Sequence, residues 1–126
     1  MKQVIDASVV LAYLRDEPGG DVLVRDEGPF CLSSVNLAEI MTKVIDLDLS
    51  PDDVTRVLKK LPIENFDYGR EDAVRTARFR TASRRLGLSL GDRACLALAA
   101  RLAVPVLTAD AVWAELDLGI DIRLIR

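Results

Sequence analysis

Short apolar runs alternate along this chain with longer segments in which apolar residues recur every three or four positions. The short runs predict five strands, at residues 3–5, 30–32, 62–66, 104–108 and 120–125. The longer segments predict helices at residues 7–15, 21–27, 34–46, 51–61, 70–86, 90–102 and 110–116. Strands that alternate with helices in this way are typical of a parallel sheet with helices on both faces.

Local signals place several of the helix boundaries. Ser50 followed by Pro51 predicts a capped helix start with proline in the first turn. Ser89 and Asp92 have the spacing of a capping box, in which each side chain bonds the other residue's backbone N–H. Gly87 is expected to end the long helix that precedes this box.

The length of 126 residues predicts one domain covering residues 1–126, and an apolar fraction of 50% is enough for a packed core. Seventeen basic and 20 acidic residues give a net charge of -3, unlike a globally basic nucleic-acid-binding protein. Cys31 and Cys95 lie in apolar runs and are expected to be buried, reduced thiols. No apolar run is long enough for a bilayer and no targeting segment is evident, so a cytoplasmic protein is expected.

Four acidic residues lie where strand patterns give way to helical ones, in a chain without histidine. They are Asp6, Glu39, Asp92 and Asp110. Because carboxyl ends of parallel strands share one edge of a sheet, all four are expected on one rim. Carboxylates held close together repel one another, and a bound cation relieves that repulsion. The pattern therefore indicates an all-carboxylate Mg²⁺ or Mn²⁺ site and phosphodiester chemistry.

Each of these acids also has a purely structural interpretation. Asp6, Asp92 and Asp110 can cap the helices that follow them. Glu39 can form a solvated pair with Lys43, four residues later on the same helix. Only their shared location favours the metal site, and capping does not exclude metal binding.

Polar neighbours extend the candidate site. Ser8 and Thr108 each stand two residues from an acid and can orient a carboxylate or a metal-bound water. The alternative for both is a local turn or cap hydrogen bond. Asn36 can face the site or close the start of its helix.

The most basic stretch spans residues 75–85, and arginines hold phosphates through paired hydrogen bonds. The candidate phosphate-binding residues, weakly indicated as nucleic-acid contacts, are Arg78, Arg84, Arg85 and, beyond the stretch, Arg93. The arginines do not form one stripe at helical spacing, so an ordinary solvated helix face is the competing interpretation.

Four segments together resemble the PIN-domain ribonucleases, and most closely the VapC-type toxins of bacterial toxin–antitoxin pairs. They are VIDASVVLA (4–12), SVNLAEI (34–40), LSLGDRACLALA (88–99) and VLTADAVW (106–113), in the family's order. The family's acids correspond to Asp6, Glu39, Asp92 and Asp110, and its hydroxyl near the last acid to Thr108. The stretch between Glu39 and Asp92 matches only in its helical character.

The resemblance implies a three-layer α/β/α sandwich with a five-stranded parallel sheet. It also implies a homodimer, dependence on Mg²⁺ or Mn²⁺, cleavage of RNA, and a small antitoxin partner that covers the site. Two other classes remain open. One is a catalytically silent PIN-like binding module, and the other is an aspartate-based phosphotransfer protein, which is disfavoured because Ser8 stands where a second acid would be needed.

Overall fold

The computed structural model of the protein describes residues 2–126. Its strands are β1 (Gln3–Ile5), β2 (Phe30–Ser33), β3 (Ile63–Phe66), β4 (Val106–Thr108) and β5 (Ile122–Leu124). Its α-helices are α1 (Ala7–Leu14), α2 (Val22–Arg25), α3 (Ser34–Asp46), α4 (Pro51–Lys59), α5 (Arg70–Ser83) and α6 (Leu90–Leu102). Two 3-10 turns, at Arg84–Leu86 and Ala111–Glu115, complete the regular structure.

The five strands form one parallel sheet in the order β3-β2-β1-β4-β5. The predicted five-stranded parallel sheet is therefore confirmed. The chain builds outward from β1 on one side, then returns to place β4 and β5 on the other. The strand order reverses between β1 and β4, and ligand crevices of such sheets lie at the carboxyl ends of the strands flanking that reversal.

Two apolar clusters separate the sheet from its two helix layers. Successive strand residues point to opposite faces, so Ile5 belongs to the cluster with α1, α3 and α4, whereas Val4 belongs to the cluster with α6 and Trp113. Both faces being covered explains why the strands read as continuous apolar runs. Cys31 and Cys95 are free and fully buried in the second cluster, as expected.

Most predicted boundaries hold within a few residues, and the differences have local causes. The predicted strand at 104–108 starts at Val106, because the Val104 N–H instead bonds the Ala99 carbonyl and closes the end of α6. The predicted helix at 70–86 tightens into a 3-10 turn after Ser83, and Gly87 ends it with a positive φ of 67°. No helix within residues 2–126 combines the length and apolar character needed to cross a membrane.

Candidate functional site

Asp6 lies at the point where the strand order reverses. It follows β1 and caps α1, and its Oδ1 accepts a hydrogen bond from the Val9 N–H at 3.3 Å. Ser8 Oγ donates to the same oxygen at 2.5 Å, and Thr108 Oγ1 donates to Oδ2 at 2.8 Å. The residue is only 4% exposed. The Asp6 side chain therefore both caps α1 and forms part of the candidate site.

The two hydroxyls tie the end of β1 to the end of β4. Ser8 Oγ accepts a hydrogen bond from the Ala109 N–H at 2.9 Å, and Thr108 Oγ1 accepts one from the Asp110 N–H at 3.1 Å. Because each oxygen is already an acceptor from the backbone, its own proton is available for Asp6. The loop after β4 thus fixes both donors that hold the Asp6 carboxylate.

The pKa of Asp6 is raised from 3.8 to about 6. Burial is the largest cause, because it disfavours the charged form. The hydrogen bonds from Ser8, Thr108 and Val9 act in the opposite direction, and the negative charge of Asp92 raises the pKa further. Asp6 is therefore a carboxyl group whose ionised form lacks a compensating positive charge.

Asp92 forms the capping box predicted for α6. The Ser89 N–H donates to Asp92 Oδ2 at 2.9 Å, and the Asp92 N–H donates to Ser89 Oγ at 3.1 Å. The charge of Asp92 raises the pKa of both Asp6 and Glu39. Asp92 is therefore the acid whose charge opposes the ionisation of both other carboxyl groups.

Glu39 extends from α3 toward the first turn of α6. The Asn36 Nδ2 group donates to Glu39 Oε1 at 2.7 Å. Desolvation of the carboxyl group is the main cause that raises the pKa of Glu39, the Asn36 bond lowers it, and the charge of Asp92 raises it again. Of the ion pairs formed by the described residues, none joins Glu39 to Lys43, so the solvated pair considered from the sequence does not form.

The buried thiol of Cys95 lies within electrostatic range of all three of these carboxylates. Burial raises the pKa of Cys95 well above its ordinary value, and the charges of Asp6, Asp92 and Glu39 raise it further. Cys95 itself is fully buried in α6, beneath the rim. The structure thus brings together three of the four acids that the sequence singled out.

Asp110 has a different setting. It is exposed, and its Oδ1 accepts a hydrogen bond from the Val112 N–H at 3.1 Å, which caps the 3-10 turn after β4. Its backbone N–H supports Thr108, which in turn donates to Asp6. The backbone of Asp110 is thus linked to Asp6 through Thr108. Its side chain caps the 3-10 turn, a role that the sequence also allowed.

The donor set fits a hydrated cation. Among residues 2–126, no group of three or more His, Cys, Asp or Glu residues stands close enough to enclose a metal ion. Mg²⁺, however, keeps several waters and is commonly held by only one or two carboxylates. Asp6 and Asp92 supply that number, and a cation beside them would offset the burial and, to a lesser extent, the repulsion by Asp92 that raise the pKa of Asp6.

The candidate RNA-contacting arginines occupy two different environments. Arg93 is half-buried, and its NH1 donates to the Thr76 carbonyl at 3.1 Å, which ties α6 to α5. Arg78 and Arg84 are exposed, and Arg85 is exposed within 3.6 Å of Glu115. Arg93 therefore braces the helix pair, whereas the other three lie on the solvent side of α5 and its terminal turn.

Sequence reasoning overlooked Gly91. It is buried at the second position of α6, where a Cβ atom would overlap the Glu39 carboxylate. The available signal was a glycine inside a predicted helix, a position where glycine is less favourable than alanine.

Comparison with known proteins agrees with this arrangement. The family model described as PIN domain matches residues 4–118. Among solved structures, a toxin–antitoxin complex from Klebsiella pneumoniae has a TM-score of 0.76 at 15% identity, with 98% of each chain covered. DNA-bound VapBC from Salmonella typhimurium has a TM-score of 0.71 at 19% identity, covering 100% of this chain and 99% of the other.

A further solved structure is more similar in sequence. VapBC-5 from Mycobacterium tuberculosis, described as a member of the VapBC family of toxin–antitoxin systems, is 25% identical with a TM-score of 0.63. The alignment covers 99% of this chain and 98% of that one. A comparison with curated proteins finds no significant match.

Proposed function

This chain belongs to the PIN-domain family, and from that premise we propose that it is a metal-dependent endoribonuclease acting as the toxin of a toxin–antitoxin pair. The observation that carries the proposal is the setting of Asp6. It is a buried acid at the reversal of strand order, held by two hydroxyls, whose ionisation is opposed by burial and by Asp92. A divalent cation is the natural counter-charge for such a group.

The acids have separate roles in this proposal. Asp6 and Asp92 would hold Mg²⁺ or Mn²⁺, with Glu39 as a further residue that would help to hold the ion. Asp110 keeps the loop after β4 in place through its cap and its bond to Thr108. When bound, the ion supplies an activated water and stabilises charge on the phosphate, which explains how a chain without histidine can cleave phosphodiesters.

The exposed arginines complete the proposed RNA surface. Arg78, Arg84 and Arg85 lie on α5 and the turn that follows it, and guanidinium groups pair well with phosphate oxygens. Contacts of this kind orient a nucleic acid without reading its sequence. The overall charge of -3 is compatible with this, because the cation offsets part of the acidic cluster.

An aspartate-based phosphotransfer reaction is less consistent with the site. That chemistry needs a second acid where Ser8 stands, and Ser8 instead donates to Asp6 and accepts from the Ala109 N–H. A silent binding module has no need for a buried Asp6 and a neighbouring Glu39 whose ionisation the charge of Asp92 opposes, because such repulsion without a counter-ion is unfavourable.

Incubation with RNA should give cleavage in Mg²⁺ or Mn²⁺ and none after chelation. The physical reason is that the chain has no histidine to activate water, so the proposed mechanism assigns that activation to the ion. Cleavage of structured and unstructured RNA would be followed on gels with the purified chain. The matched control is Asp52→Asn, which removes an exposed acid from the first turn of α4 and should cleave like the parent. Cleavage that survives chelation would refute the metal mechanism.

We further propose a small protein partner that inhibits the nuclease with a basic side chain placed among the carboxylates. The similar solved structures are complexes of toxin–antitoxin pairs, and arginine or lysine can replace the charge of the cation. Candidate docking residues are Tyr13 and Leu14 of α1 and residues 54–61. A neighbouring apolar groove of about 190 Å³ is lined in part by Leu37, Met41, Leu58 and Ile63.

The same proposal includes a homodimer. Several large apolar side chains remain exposed on the helices, including Ile45 of α3, Val74 of α5 and Leu90 of α6. The resemblance to VapC-type toxins supports the dimer, and these side chains are candidates for its interface.

Expression of this chain alone should arrest growth, and co-expression of a small protein encoded beside it should restore growth. Replacing the basic residues near the carboxyl end of that partner should abolish the rescue, because the carboxylate group would lose its counter-charge. Growth curves and pull-down of the pair measure both effects. Normal growth with active protein alone, or full inhibition by the altered partner, would contradict the model.

A further inference from the structure

We propose that Asn36 is a positioning residue that clamps the Glu39 carboxylate against the first turn of α6, and that Gly91 supplies the space this carboxylate fills. The inference rests on the proposed function in one respect, namely that Glu39 serves the cation site. It assigns a role to one amide and one glycine that lie beside the acids. The clamp consists of Asn36, Glu39 and Gly91.

Asn36 is placed to join two segments that are distant in sequence. It lies in the first turn of α3 and is 1% exposed. Its Nδ2 group donates to Glu39 Oε1 at 2.7 Å and to the Gly91 carbonyl at 3.1 Å. Both partners are acceptors, so the amide must present its nitrogen to them. The side chain therefore fixes Glu39 relative to α6 and not merely relative to its own helix.

The state of the Asn36 side-chain oxygen supports a specific role for the two hydrogen bonds that its nitrogen donates. Asn36 Oδ1 is buried and has no hydrogen-bond partner among residues 2–126. A buried acceptor left in this state is unfavourable, so a side chain serving only to fill space would be better apolar. The amide is retained at that cost because its nitrogen binds Glu39 and the backbone of α6.

Gly91 provides the complementary half of the clamp. A Cβ atom on this residue would overlap Oε1, Oε2 and Cδ of Glu39. Glycine is otherwise unfavourable inside a helix, and Gly91 keeps φ outside the positive range that favours glycine. The close approach of the carboxylate is therefore the reason for glycine here. Since Asp92 directly follows Gly91 in the chain, the clamp holds Glu39 beside Asp92, whose charge raises the pKa of Glu39.

The decisive variants are Gly91→Ala and Asn36→Leu. The first adds one methyl group, which should displace the end of the flexible Glu39 side chain while keeping every polar group of the cluster. The second removes the donor while keeping the branching and the number of heavy atoms of the side chain. Gly69→Ala is the matched control, because Gly69 also stands at a helix start and a Cβ there meets nothing within 4 Å.

Mn²⁺ affinity, measured by calorimetry on the purified full chain, is the readout that does not depend on the RNA. Both clamp variants should bind Mn²⁺ about 10- to 100-fold more weakly, the usual effect of losing a group that orients a ligand. In cleavage assays kcat should fall while KM for RNA stays near the parent value. Gly69→Ala should match the parent in all three measurements, and thermal unfolding verifies that each variant is folded.

A double-mutant cycle separates positioning from general packing. In a Glu39→Ala background, Asn36→Leu should cause no further loss of Mn²⁺ affinity, because there is no carboxylate left to position. Equal losses in both backgrounds, or parent-like Mn²⁺ affinity and kcat in Gly91→Ala, would overturn the clamp.

If Asn36→Leu does not fold, the Mn²⁺ affinity and kcat of Gly91→Ala decide whether the clamp exists. A parent that binds Mn²⁺ without cleaving RNA would refute the proposed function and leave the clamp to be judged by affinity, whereas a parent that binds no Mn²⁺ would overturn both.

Discussion

Replacing Asp92 by asparagine is expected to abolish RNA cleavage while leaving the metal-free protein at least as stable as the parent. Asparagine keeps an oxygen for the Ser89 N–H but removes the charge that opposes ionisation of Asp6 and Glu39. Activity should fall by more than about 100-fold, beyond the effect of losing a supporting hydrogen bond at a metal site. The same result is expected for Asp6→Asn. Cleavage rates in Mg²⁺ and urea unfolding in chelator measure the two effects.

Alanine at these positions separates the charge from the cap. Asp6 caps α1 through the Val9 N–H, so Asp6→Ala should cost about 1 kcal/mol of stability that Asp6→Asn does not. Asp92→Ala should show a comparable loss, because the capping box of α6 loses one partner. Full cleavage activity in either asparagine variant would show that the acids serve only as caps.

The second large effect is on the pH dependence of stability. The pKa of Asp6 is about 6 in the folded protein, against an ordinary value of 3.8. Between these values the folded protein keeps a proton that the unfolded chain releases, so stability decreases as pH rises. The difference of about two pKa units corresponds to about 3 kcal/mol, fully present below pH 4 and lost by about pH 6.

Urea unfolding of the metal-free protein from pH 4 to pH 7 tests this directly. Asp6→Asn is the reference, because it folds with the same neighbours and has no proton to release there. The free energy of unfolding of the parent should fall relative to this variant by about 3 kcal/mol across the range. Added Mg²⁺ should reverse the loss near pH 7 in the parent alone. Parallel pH profiles for the two proteins would show that Asp6 ionises without a penalty.

The helix caps and the candidate site are built from the same side chains. Asp6 begins α1, Asp92 begins α6, and Asp110 begins the 3-10 turn after β4. A cap holds its carboxylate in one orientation by hydrogen bonds to backbone N–H groups, which are themselves fixed by the helix. The start of each helix thereby orients an acid in advance, which would lower the cost of arranging the proposed cation site.

The sequence by itself determined most element types, the parallel sheet and the capping of α6, because these depend on periodicity and on contacts within a few residues. The helix predicted at residues 110–116 is instead a 3-10 turn at Ala111–Glu115. The sequence also placed Asp6 at the end of a strand. It further placed all four acids on one rim and allowed each of Asp6, Asp92 and Asp110 a capping role. Only the tertiary structure distinguished Asp6, Asp92 and Glu39, whose charges interact, from the exposed, capping Asp110, and only it assigned Arg93 to bracing α5.

The hydrogen bond from Asn36 to the Gly91 carbonyl joins residues 55 positions apart, and it shows why the sequence did not reveal this contact. Capping and helical spacing are local properties that a short window of sequence contains. The distance between α3 and the first turn of α6 is instead set by how both helices pack on the sheet. The small size of Gly91 matters because the Glu39 carboxylate packs against it. Packing of that kind depends on the whole core at once, so no local pattern encodes which carboxylates meet.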